Sequence, residues 1–130
     1  MLPEEIEPGE PEDWLRRAYS DLELARMRQN SRILLEDLCF HAQQATEKAL
    51  KAVLVFRSVP FPRTHNIRTL MDLMPQDLNL PEEATGAASL TDYAVVTRYP
   101  GDFEPVAEEE YFDAVRMSEA VVRWAEKTVR

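Results

Sequence analysis

Glycine is scarce in this chain, three residues in 130, and there is a single cysteine, Cys39. So few glycines leave a sheet protein short of turn residues, whereas 45% apolar content is enough to fill a helical core. One cysteine cannot make an internal disulfide, and no basic stretch leads into an apolar run at the start as a signal peptide would. The expectation is a cytoplasmic, reducing setting. Long hydrophobic runs are also missing, and nothing approaches the roughly 20 apolar residues of a bilayer-spanning helix. At 130 residues the chain has the length of one domain.

Positive charge is in deficit, with a formal net of −9. Six of the acids lie in the first thirteen residues, however, and the rest carries 15 bases against 18 acids. Between Phe40 and His65 the balance reverses, since Lys48, Lys51, Arg57 and Arg63 face only Glu47. That stretch is where an anion would feel attraction. Residues 1–10, with two prolines, a glycine and four acids, read as a mobile acidic tail ahead of a helical domain over 11–130.

Periodicity predicts the helices. Pro11, followed by Glu12 and Asp13, opens a first helix that runs to about Asn30, with Trp14, Ala18, Leu22 and Ala25 on one face. A second, from Ser31 or Ile33 to Arg57, carries Leu35, Leu38, Ala42, Ala45, Ala49, Val53 and Phe56. Its small residues at 42, 45, 49 and 52 allow a close neighbour. Pro60 and Pro62 stop it, and Thr64 is placed to cap a short helix from His65 to Met74. A fourth helix is predicted over Glu82 to Arg98, weakened by Gly86 and closed by Pro100, and a last one from about Pro105. It buries Tyr111, Ala114, Val115, Ser118, Val122, Ala125 and Val129. The expected fold is all-α, an up-and-down bundle of four main helices plus one short helix. Apolar residues on several faces suggest a homodimer.

On the second helix, His41, Gln44, Lys48 and Lys51 follow at spacings of three, four and three and form one polar stripe. Two ammonium groups, an amide and an imidazole in a row suit a phosphate or nucleotide. Pattern alone equally describes an ordinary solvated face in which Glu47 and Lys51 pair at i,i+4, and this is the simpler reading. Arg63, His65 and the proline turn stand at a helix N-terminus that favours an anion, or form merely a rigid capped turn. Arg98, with Tyr99, suits the negative end of the fourth helix. Cys39, between Leu38 and Phe40, reads as a small buried hydrophobe. No glycine-rich phosphate loop, paired cysteines, His-Glu-x-x-His or nucleophile elbow occurs, and Glu108, Glu109 and Glu110 read as first-turn charge, so neither metal nor cofactor is expected.

The run from Cys39 to Ala52, CFHAQQATEKALKA, resembles the signature second helix of stand-alone prokaryotic HEPN (higher eukaryotes and prokaryotes nucleotide-binding) proteins. Ser20-Asp21-Leu22 with Ala25, Thr64-His65-Asn66 after the proline loop, Tyr93 through Arg98-Tyr99-Pro100 and the alanine-spaced final helix are similar to that family as well. The resemblance covers about residues 11–130. It implies a dimerising four-helix bundle, often encoded beside or fused to a small nucleotidyltransferase. Many such proteins are metal-independent endoribonucleases of toxin–antitoxin pairs. Active members carry an arginine separated by roughly four to six residues from a histidine, which act on an RNA phosphodiester while the 2′-hydroxyl attacks. Here Arg98 stands in the arginine's place, but Tyr99 to Pro105 contains no histidine. The expectation is a module that binds a nucleotide, RNA or a partner nucleotidyltransferase without nuclease activity. Its site would comprise His41, Gln44, Lys48, Lys51, His65, Arg98 and Tyr99, with the lysine stripe and Arg98 sharing one groove. The alternative is a ribonuclease toxin using Arg98 with His41 or His65.

Overall fold

Helix α1 (Pro11–Ala25) starts where the Asp13 carboxylate accepts the Glu10 amide at 3.1 Å, so an acid closes the first turn and Glu10 belongs to the domain. Residues 9–30, 32–94 and 105–130 are described by the computed structural model, and the tail before Gly9 lies outside them. Leu15, Ala18, Leu22 and Ala25 fill the inner face of α1. The helix ends five residues earlier than periodicity suggested. The Arg32 amide bonds the Asn30 side chain and the Ile33 amide bonds the Asn30 carbonyl, which turns the chain toward α2 instead.

Helix α2 (Leu35–Phe56) buries Leu38, Ala42, Ala45, Ala49 and Val53 as expected, but Phe56, placed on the same stripe, is 46% exposed although Val53 and Leu54 of the same turn are fully buried. Ser58 then adopts φ 58°, and the Val59 amide returns to the Leu54 carbonyl at 2.8 Å. The short helix α3 (Ile67–Asp72) is capped by Asn66, whose side chain accepts the Thr69 amide, and not by Thr64, whose hydroxyl accepts the Asn66 amide in a local turn.

The fourth predicted helix differs in its described part. It consists of a 3-10 turn, Glu82–Ala84, and a 3-10 helix, Ala87–Ala94. The hydroxyls of Thr85 and Ser89 bond the carbonyls of Glu82 and Gly86, and their amides bond the same carbonyls, so the i,i+3 pattern wins around Gly86. Gly86 also lies so close to Met117 that an added Cβ would sit 3.2 Å from its sulfur. Helix α4 (Glu108–Val129) begins at three acids and buries Tyr111, Ala114, Val115, Ser118, Val122 and Ala125, with Val129 half-buried.

Cross-links fix the directions. Trp14 and Asp21 of α1 meet Lys51 and Lys48 of α2, while Glu12 and Tyr19 of α1 and Arg26 just after it meet, in turn, Arg130 at the end of α4 and Glu126 and Glu119 within it. Helix α1 is therefore antiparallel to both. Gly86 against Met117 and Tyr93 bonded to Glu110 run the 3-10 segment antiparallel to α4. The result is an all-α, up-and-down arrangement, with no strand among the described residues. No helix among them is long and apolar enough to cross a membrane.

Cys39 is fully buried in this core. Burial pushes its thiol up to about 11, and burial with the Glu126 carboxylate pushes the Tyr19 hydroxyl up to about 12. Both groups keep their protons in the fold where the unfolded chain has lost them, so the unfolded state binds fewer protons above pH 9. Stability in urea is expected to fall as pH rises from about 9 toward 11, less steeply in Cys39→Ala.

Candidate functional site

Helical spacing aligns His41, Gln44, Lys48 and Lys51 along α2, but two acids divide the stripe. In the first half, α1 brings in Asp21. One of its carboxylate oxygens lies 3.1 Å from His41 Nδ1 and the other accepts Lys48 Nζ at 2.6 Å. Asp21 is buried, whereas the His41 and Lys48 side chains keep 33% and 25% of their exposure. They form a partly open seam between α1 and α2. The Phe40 ring stands edge-on to His41 with centroids 5.5 Å apart.

The second half is closed. Glu47 accepts Lys51 Nζ at 3.1 Å and Gln43 Nε2 at 3.1 Å, and stands 3.0 Å from His65 Nδ1. The rings of Trp14 and Phe61 lie 5.5 and 5.6 Å from the Lys51 ammonium. The chain after α2 folds back over the helix, with the His65 carbonyl accepting Gln43 Nε2 at 3.2 Å. Lys51 is consequently buried, 6% exposed, so the solvated-face reading does not describe it, though the expected pairing with Glu47 is present. Gln44 joins the halves by donating to Gln43 Oε1 at 2.7 Å.

Both lysines are thus paired with a buried carboxylate, Lys48 with Asp21 and Lys51 with Glu47. That pairing weakens the anion attraction read from the Phe40 to His65 stretch, in which Arg63 stays exposed. The α3 N-terminus is occupied too, because Thr91 Oγ1 accepts the Ile67 amide at 2.9 Å and Asn66 accepts that of Thr69. Arg57 is held by both oxygens of Asp77 at 3.0 Å. His65 remains 67% exposed at the edge of the closed half.

Arg98 and Tyr99 lie outside the described residues, as does the groove they were expected to share with the stripe. Elsewhere, a groove between the 3-10 helix and α4 is lined by Asp92, Tyr93, Glu109, Glu110 and Asp113, whose carboxylates disfavour phosphate. Among the described residues no cluster of ligating side chains suits a metal ion.

Asp21 is the member of the seam that stripe reading missed. A signal was present: Asp21 falls seven after Trp14 and four before Ala25, an acid placed on the apolar face of an amphipathic helix. A carboxylate there is buried and requires a cationic partner.

The HEPN domain model matches residues 11–128. Among solved structures, TT1696 from Thermus thermophilus is 30% identical, with a TM-score of 0.75 over 91% of this chain and 97% of that one. ST0689, described as an archaeal HEPN homologue, is 25% identical, with a TM-score of 0.71 over 95% of this chain and 100% of that one. No curated protein matches the chain.

Proposed function

Since the chain belongs to the HEPN domain family, we propose that it is a binding module whose α1–α2 seam takes a nucleotide or an RNA end, without nuclease activity. The observation that carries this reading is Asp21 gathering His41 and Lys48 on one partly exposed seam, beside Gln44. Lys48 spends one N–H on Asp21 and keeps two for a phosphate oxygen, and Gln44 retains its carbonyl for a base or sugar edge. The exposed Leu34 and Phe112 are suited to self-association or to a nucleotidyltransferase partner, both of which belong to the same proposal.

Calorimetric titration with a panel of nucleotides and short RNAs tests the site. At least one ligand is expected to bind, with affinity falling about tenfold or more in Lys48→Ala through loss of a charge-assisted hydrogen bond. Unchanged affinity in that variant would remove the seam from the account.

One observation favours a second reading, an endoribonuclease. A carboxylate on Nδ1 is how acid–base histidines are oriented, and His41 has one. Incubating the purified chain with single-stranded RNA in a chelator separates the two. The binding module leaves the RNA intact, whereas cleavage that disappears in His41→Ala would establish the enzyme.

A further inference from the structure

We propose that Asp21 is a positioning residue that fixes His41 as the Nδ1–H tautomer, so that the seam selects a phosphorylated ribose by accepting a hydrogen bond from its hydroxyl. The inference rests on the site proposed above and names its ligand chemistry. Asp21 is buried, and Lys48 Nζ at 2.6 Å holds it as a carboxylate, which can only accept. His41 Nδ1 at 3.1 Å from the other oxygen must then carry the proton. In the neutral ring the lone pair is left on Nε2. That atom has no protein partner among the described residues, and the side chain that carries it is 33% exposed. The Phe40 ring edge restricts rotation of the imidazole, with an interplanar angle of 72°.

Two adjacent groups of opposite character result. His41 Nε2 accepts, and Lys48 donates with a positive charge. Because both are tied to one carboxylate, their free sides lie within the span of one small ligand. The cluster of Asp21, Lys48 and neutral His41 has no net charge, so charge alone gives an anion little affinity and directional hydrogen bonding decides what binds. A ligand that offers a phosphate to Lys48 and a neighbouring hydroxyl to Nε2 satisfies both, and a phosphorylated ribose does so. A sugar without hydroxyls leaves Nε2 facing a group that cannot donate.

Two measurements on the full chain test this. The first is the side-chain nitrogen spectrum of His41, recorded at a pH above which its ring nitrogen signals no longer move. The wild type is expected to show the Nδ1–H form. In Asp21→Asn, Lys48 keeps the side-chain oxygen, the amide NH2 faces Nδ1, and the tautomer should reverse. An Nε2–H form in the wild type, or no change in the variant, would overturn the inference. A purely structural role for Asp21 would not move this signature. The second compares adenosine 5′-monophosphate with its 2′,3′-dideoxy analogue on the wild type, and needs no variant. About tenfold weaker binding of the analogue is expected for one lost hydrogen bond at a partly exposed site. Equal affinity would overturn the ribose selection while leaving the seam as a binding site. Binding of neither would remove the site and the inference with it.

Discussion

Glu47→Ala is expected to lower the free energy of unfolding by about 1–3 kcal/mol, because it removes a buried carboxylate that pairs with the Lys51 ammonium and accepts from Gln43. The pair is 4% and 6% exposed, so bulk water screens neither member and the ammonium cannot easily reach solvent past Trp14 and Phe61. His65 and Gln43 lose the same acceptor, which loosens the segment before α3. Replacing both Glu47 and Lys51 with methionine should recover part of the loss, since it removes the desolvation cost of the ion pair but leaves the Gln43 amide without that acceptor. Urea denaturation of the three variants measures this. A Glu47→Ala chain as stable as the parent would mean that the closed half of the stripe is not closed in solution.

Ala45→Leu is expected to destabilise the chain by about 1–3 kcal/mol and to weaken ligand binding at the seam as well. Ala45 falls four after His41 and three before Lys48, the two residues that Asp21 of α1 holds, and is itself fully buried. Among the described elements α1 and α2 share the most extensive contact, and helical spacing puts position 45 between the two residues that Asp21 holds, where a small side chain permits the 2.6 Å approach to Lys48. Leucine forces α1 outward and separates the carboxylate from both partners. Denaturation and titration of the same variant check the two effects together. Lost stability with intact binding would disconnect the helix spacing from the site.

Much of the architecture was legible because a helix repeats its buried face every three or four residues. Ala18, Leu22 and Ala25, the alanines of α2 and the inner face of α4 were all placed that way. The fourth element was legible in position but not in form, since Thr85 and Ser89 compete for backbone carbonyls locally while the apolar spacing of Leu90 and Tyr93 fits an α-helix nearly as well. The ends of α1 and α3 were displaced for a similar reason, as the side chain of an asparagine decided each one.

The site was legible only as far as one helix reaches. His41, Gln44, Lys48 and Lys51 do align, but spacing along α2 carries no information on what α1 or the returning loop lays against them. Asp21 neutralises the open end, and Glu47, read as half of a surface pair, sits at the centre of a buried cluster. The distinction between a free cationic stripe and a paired one comes from those two carboxylates, and each acts through a contact eighteen or more residues away in the chain.

The most direct test of the seam is to follow backbone amide signals of the isotopically labelled chain while adding adenosine 5′-monophosphate. The account predicts shifts concentrated around Asp21, His41, Gln44 and Lys48. Shifts confined to the acidic groove of Tyr93, Glu110 and Asp113, with the α1–α2 signals unmoved at saturation, would contradict it.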